Sequence, residues 1–381
     1  MAAAIAQQLC PFFWFFLATT AFYHAIQRPT GQLRYAFTIA HIFSVALCLC
    51  QFSVTPAIPF RRAWVHSCLV FGLHTALLLV LEKRSVNKRD ASSLNQRLRA
   101  VFLVWGDLRR LSSPPRPRHR ESATAHAGSF PFQKARRYMY ASRIVALLCA
   151  QCAASTARMW VVRTLQINMW DYAPEKQALW PPTLAPRDFC WRAWASVFWV
   201  WETQLILSIA HNILAVFFVS VLGWSSADEW PPLFGSIAEA ASLRRFWGVY
   251  WHRLSTSVAQ VYFDQLLVRR SVGWAAPKGI GRALRACWVF SFSALCHAAA
   301  NWIVVGRANA AQELRFFFVN FLVCWVETRL SSGVAGMDSA HTSGWAPGLR
   351  CALGYSRVFL VFFVFAPAWQ WSLFSSMLGW K

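Results

Sequence analysis

Acid is what this chain has least of. Only 15 Asp and Glu stand against 38 Lys and Arg, for a formal net charge of +23 over 381 residues, and charged residues together make up 14%. A soluble domain carries about a quarter, so an ordinary water-soluble globule is excluded. No Asn-x-Ser/Thr sequon occurs, and glycosylation therefore marks neither side of a membrane. Among the 11 cysteines, Cys149 and Cys152 have redox or metal spacing, but no second pair and no adjacent histidine accompany them. Packing within a helix bundle is the expectation for them, and no metal centre is expected. An Asp-rich diphosphate motif is missing, as is any internal repeat of the kind that builds many transporters.

What the chain has instead is apolar length. Hydrophobic residues are 57% and aromatics 16% of the chain, with a mean hydropathy of +0.35. Apolar blocks near the roughly 20 residues that cross a bilayer recur at 11–26, 36–58, 63–81, 141–165, 284–305, 314–330 and 353–378. A longer block, 189–224, exceeds one untilted span and is interrupted by Glu202, His211 and Asn212. A long tilted helix, or an interfacial piece followed by a span, fits it equally. The fold class expected is all-α: a polytopic transmembrane bundle of about eight spans around a central cavity. The first block lacks a preceding basic region and reads as a retained span, not a cleaved signal. Pro56 and Pro59 are expected at the exit of the second span.

The positive charge lies between the apolar blocks, where membrane topology accounts for it more economically than a nucleic-acid surface does. Residues 82–137 hold 14 Lys and Arg against four acids and are assigned to the cytosol. Within them, 94–111 spaces Leu94, Leu98, Val101, Phe102, Trp105 and Leu108 at helical intervals, an interfacial amphipathic helix. The centre, 112–120, reads as disordered. Alternation then puts the N-terminus and 168–188 in the lumen. Arg61 and Arg62 fall on the lumenal side against the rule, and Arg158 and Arg163 must snorkel or face a polar cavity. Residues 254–268 are too short and polar to cross and are expected to be re-entrant or interfacial. The domain organisation read from this is 1–81, N-terminal spans; 82–137, a basic cytosolic loop; and 138–381, a transmembrane core whose motifs occupy 225–330.

Two stretches carry chemistry. In 286–302, Ser293, His297 and Asn301 fall four residues apart on one helix face. Small residues, Ala294, Ala298, Ala299 and Ala300, surround them and leave room for a neighbouring helix or a substrate. An ionisable side chain at that depth is a functional hypothesis by default, against the plainer reading of a buried, bonded histidine. His24, His41, His66 and His74 receive that plainer reading. In the second stretch, Phe246, Trp247 and Trp251 offer aromatic faces and Arg244, Arg245 and Arg253 offer cations, a combination suited to an adenine and phosphates. An ordinary interfacial aromatic-basic helix is the alternative.

Taken together, Trp230-Pro-Pro-Leu-Phe-Gly235, Ser242-Leu-Arg-Arg-Phe-Trp-Gly-Val-Tyr-Trp-His252 and Ser293-Ala-Leu-Cys-His297 resemble the wax synthase domain of the membrane-bound O-acyltransferase superfamily. That family's pattern reads roughly Ser-Leu-x-x-Phe-Trp-Gly-x-x-Trp-His/Asn, followed by Ser-Ala-x-x-His. Plant-like members end the first motif in Asn; this chain ends it in His252, as fungal-type members do.

The resemblance implies acyl transfer from acyl-CoA to a hydroxyl, with His297 as the base and His252 as the second invoked residue. A neutral imidazole in a dry pocket can take the alcohol proton as the C–O bond forms, an effect of about 10²–10⁴-fold. The oxyanion then needs a donor, for which His252 and Asn301 are candidates. The His-x-x-x-Asp motif of soluble enzymes is not met, and His297-Ala-Ala-Ala-Asn301 only approaches it. No bound cofactor is expected; acyl-CoA, with acetyl-CoA foremost, is a co-substrate. Partners expected are a lipophilic alcohol and membrane lipid, and not nucleic acid. The fungal-type resemblance favours acetylation of a terpenoid or related secondary metabolite at the endoplasmic reticulum. Long-chain wax ester synthesis and a transporter with a proton-relay histidine are the alternatives.

Overall fold

The computed structural model describes residues 2–51, 58–86, 93–109, 130–177, 185–268, 278–306, 309–334 and 346–377. Among them every regular element is helical: α1 (Ala2–Ile26), α2 (Gln32–Cys50), α3 (Ile58–Ala76), α4 (Leu94–Trp105), α5 (Phe130–Thr164), α6 (Pro186–Ala215), α7 (Leu243–Arg245), α8 (Thr256–Phe263), α9 (Lys278–Val305), α10 (Ala310–Val334) and α11 (Ala346–Met377). Wider π turns extend four of them, at Leu77–Leu81, Val216–Val221, Phe246–Tyr250 and Asp264–Val268. Six helices are long and apolar enough to cross a membrane: Gln32–Cys50, Arg61–Leu81, Met139–Thr164, Pro186–Val221, Gly281–Val305 and Gly348–Ser375. The segment Cys10–Ile26 is a shorter apolar helix. The expected spans at 11–26 and 314–330 are thus helical, within α1 and α10, without meeting that measure. Large apolar side chains such as Phe16, Ile39, Trp160 and Val221 face outward, as they do where lipid is the solvent. The chain is a multi-pass membrane protein.

One boundary differs from expectation. The second helix ends at Cys50, and Pro59 lies in the first turn of α3, where a missing N–H costs nothing; Pro56 lies outside the described residues. The long block is one helix, α6, running on through its π turn for 36 residues, about 54 Å at the helical rise. Cys149 and Cys152 are exposed on α5, not packed inside. The 112–120 stretch lies outside the described residues.

The chain divides into two compact units, Met1–Arg118 with Leu254–Ala308, and His119–Arg253 with Asn309–Lys381. In the first, α1 and α2 form a hairpin through Gly31, whose φ of 108° only glycine adopts readily. Arg34 closes that end. Its guanidinium, buried in the unit, donates to the carbonyls of Ala25 in the last turn of α1 and Arg28 just beyond it, and to Leu79 (3.1 Å) and Arg84 (3.0 Å) after α3. Helix C-termini leave carbonyls unpaired, and a five-donor cation answers several at once. Arg61 does likewise, donating to the Val304 carbonyl in the last turn of α9 at 3.3 Å. At a helix C-terminus the carbonyl dipoles favour a cation. Helix α4 opens on a capping box between Ser93 and Gln96. It presses Val101 against Phe22, Ile26 and Leu78, so the amphipathic stretch has a protein surface beneath it.

In the second unit Arg192 is almost wholly buried. Pro367, inside α11, has no N–H to give the Phe363 carbonyl one turn back. The Arg192 Nε supplies that bond at 2.8 Å, and its Nη atoms donate to Val364 and Lys176 carbonyls at 2.9 and 3.0 Å. Arg158 pairs with Glu202 of α6 at 3.2 Å. Arg187 binds both carboxylate oxygens of Asp171, at 2.6 and 2.7 Å, and the Leu165 carbonyl, clamping the end of α5 to the start of α6.

Candidate active site

The aromatic motif is built on a capped turn. Ser242 accepts from the Arg245 N–H at 3.2 Å, while Glu327 of α10 accepts from Leu243 N–H (3.1 Å) and Arg244 N–H (2.8 Å). A carboxylate at a helix N-terminus meets both the free donors and the positive end of the dipole. The motif then widens into a π turn, Phe246–Tyr250, closed by the Trp251 N–H on the Phe246 carbonyl at 2.7 Å. It stands in place of a regular helical turn. The i to i+5 bond brings Phe246 and Trp251 face to face, 5.4 Å apart and 22° from parallel. π turns recur at functional sites.

Other aromatics enclose these rings. Trp199 of α6 lies 5.2 Å from Trp251, and Phe362 of α11 lies 4.9 Å from Phe246. Phe246 and Trp251 are buried; Trp247 is half-buried and donates its indole N–H to Asn320 at 2.9 Å. Tyr250, pushed up to about 12 by burial, stays a neutral phenol that donates to Gln204 at 2.6 Å. Arg244, Arg245 and Arg253 are exposed, and Arg245 pairs with Glu239. The preceding Trp-Pro-Pro-Leu-Phe segment returns over the turn. Gly235 N–H donates to the Tyr250 carbonyl at 2.8 Å, and a Cβ there would stand 2.5 Å from the Val249 oxygen. Phe234 meets the half-buried ring of His252 edge-on at 5.5 Å.

The second stretch lies in the other unit, on α9. Ala294, Ala298 and Ala300 are buried, and Ala300 packs with Val65 and Cys68 of α3. Cys296 packs on Val70 of α3 and Val258 of α8. Trp288 donates to the Ala259 carbonyl at 2.8 Å and Tyr262 to that of Leu73 at 2.9 Å, joining α3, α8 and α9. On the polar face, Ser293 sits 3.5 Å from Ser255, His297 is half-buried and Asn301 is buried. The ring of His297 lies 4.3 Å, centroid to centroid, from that of His66 on α3, 30° from parallel.

His66, given the plainer reading, thus lies against the His297 ring. The other apolar-block histidines keep theirs: His41 bonds Ala18 and Thr75, both at 2.8 Å, His74 reaches the Val104 carbonyl, and His24 stacks on Phe37. Nothing in local spacing separates His66 from these, because its partner is 231 residues away. Glu327, Asn320 and Trp199 were likewise out of reach, since each acts across a helix contact. Among the described residues no three His, Cys, Asp or Glu side chains group to hold a metal ion.

Residues 230–319, which include both motifs, match the family model described as membrane bound O-acyl transferase family. The chain is similar to the acetyltransferase nanB of Aspergillus nanangensis, 24% identical over 296 residues, 74% of this chain and 69% of that protein. It is also similar to the acetyltransferase ataH of Aspergillus terreus, 31% identical over 173 residues, 44% of this chain and 54% of that protein. An acetyltransferase of Fusarium sporotrichioides is 33% identical over 108 residues, 27% of this chain and 23% of that protein. Beyond the first relative, the match thus spans about half or less of each protein's length. No solved structure matches the chain. A matched model that holds both motifs, relatives that share one activity in their names, and an all-helical membrane-spanning chain agree: over 230–319 the chain is similar to the membrane bound O-acyl transferase family, and the relatives named above are fungal acetyltransferases.

Proposed function

We propose that the protein is an O-acetyltransferase of secondary metabolism, moving an acetyl group from acetyl-CoA to a hydroxyl of a lipophilic, terpenoid-class alcohol at the endoplasmic reticulum membrane. The observation that carries the reading is that one family match, 230–319, contains the aromatic-basic turn and the membrane histidine in the expected order. The acetyl donor is supported by the names of the relatives, which are acetyltransferases and favour neither wax ester synthesis nor transport.

In this reading His297 takes the alcohol proton as its oxygen attacks the thioester carbonyl. Asn301, one turn further along α9, is the candidate donor to the oxyanion. Collapse of the tetrahedral species expels the CoA sulfur, which recovers the proton from the imidazolium. No covalent acyl-enzyme intervenes. Arg244, Arg245 and Arg253 are exposed and are assigned to the CoA phosphates. Trp247, half-buried, is the aromatic assigned to the adenine, and Phe246 and Trp251 support the turn from within.

Purified protein incubated with labelled acetyl-CoA and a panel of terpenoid and fatty alcohols tests this directly. Labelled acetate ester is the expected product, and His297→Ala lowers its formation by at least about 10²-fold, the lower end for a general base, while the variant still inserts and binds CoA. Undiminished transfer in that variant refutes the base, and transfer of only long acyl chains refutes the acetyl assignment.

A further inference from the structure

We infer that His66 is a positioning residue for the reaction, holding the face of the His297 imidazole and supporting the charge that develops on it. This rests on the reading of His297 as the base.

The geometry is specific. The two rings sit 4.3 Å apart at 30°, nearly face on. The lone pair and the N–H of an imidazole lie in the ring plane, so this arrangement is not a nitrogen-to-nitrogen hydrogen bond and does not relay a proton. It is a contact of faces. The His66 ring also reaches the backbone carbonyl of Cys296, the residue before His297. Its place is fixed by packing on either side: Val65 and Cys68 of α3 lie in one buried cluster with Ala300 and Val304 of α9, and Val70 lies in another with Cys296.

Two consequences follow for a base at His297. A ring covered on one face cannot swing freely about its own axis, so its nitrogen edge stays presented to the hydroxyl. When the alcohol proton arrives, the His297 ring becomes a cation, and a neutral aromatic face beside a cation in a desolvated site is stabilising. The balance of the step is unchanged by His66: the proton goes from alcohol to His297 and then to the CoA sulfur, and His66 neither gains nor loses one.

The test compares His66→Phe, His66→Leu and His66→Asn with wild type and His297→Ala, measuring kcat, the KM for acetyl-CoA and for an accepted alcohol, and thermal stability. Phe keeps an aromatic face and is expected to retain kcat within about twofold. Leu and Asn are expected to lose about tenfold in kcat, equivalent to about 1.4 kcal/mol, at unchanged KM. Should Leu fail to fold, the Asn variant against the Phe variant carries the comparison. Full kcat in the folded Leu or Asn variant, or an equal loss in Phe, overturns the role of His66 alone so long as His297→Ala is inactive. Transfer that survives His297→Ala overturns both assignments.

Discussion

Asp171 sits in the loop after α5 with its carboxylate almost closed off from solvent. Burial alone would push its acidity toward the neutral form. The Arg187 hydrogen bonds and charge, together with the Asn168 N–H, outweigh that and hold it below the ordinary carboxylate range. A carboxylate lowered in the fold adds stability that is complete above its unfolded value, about 3.9, and is lost as pH falls through the folded one. Detergent-solubilised wild type should therefore lose thermal stability as pH drops toward and below about 4, and Asp171→Asn should show a flatter profile there. Identical slopes would contradict the assignment. This ion pair was not legible in the sequence: Arg187 stood beyond four prolines in what reads as a neutral loop, and nothing local ties it to an aspartate 16 residues earlier. Arg158 was legible only as a problem, a charge in an apolar block, and Glu202 is its solution.

At the scale of elements, the aromatic turn depends on two close approaches of backbone to backbone. A Cβ at Gly235 would lie 2.5 Å from the Val249 oxygen, and one at Gly354 of α11 would lie 2.1 Å from the Ala241 oxygen, just before the Ser242 cap. Gly248, inside the motif, would meet nothing within 4 Å. Gly235→Ala and Gly354→Ala should each destabilise by about 1–3 kcal/mol, the usual cost of overpacking, and lose transferase activity with it. Gly248→Ala should leave the thermal midpoint unchanged or slightly raised. Equal tolerance of all three would mean the turn is not held as described. The element order itself was readable, because apolar length and interrupting charge mark helices in a membrane. The widening of 246–250 into a π turn was not, because regular and π turns share nearly the same residue preferences and differ in which carbonyl the Trp251 N–H finds.

The whole molecule wears its apolar residues outside. Helices α5 and α6 bury little of themselves in protein, and Val145, Leu148, Trp160, Val197, Trp201 and Ile213 all face outward. A surface of that kind needs lipid or detergent. Alkaline carbonate and high salt, which strip peripheral proteins, should leave the protein wholly in the membrane fraction, and mild detergent should release it. Recovery in the carbonate supernatant would overturn the multi-pass assignment. Composition announced this property plainly, whereas the partition into two discontinuous units, each taking segments from distant parts of the chain, has no trace in it.

The bond that Arg192 gives to the Phe363 carbonyl has a bearing on how this chain can change over time. The gap it fills exists only because position 367 is proline. Were that residue to become alanine, the last helix would mend its own ladder, and part of what makes the arginine indispensable would vanish with the defect. The two sites should therefore drift as a couple: proline can be surrendered while arginine stays, but arginine is safely surrendered only after proline has gone.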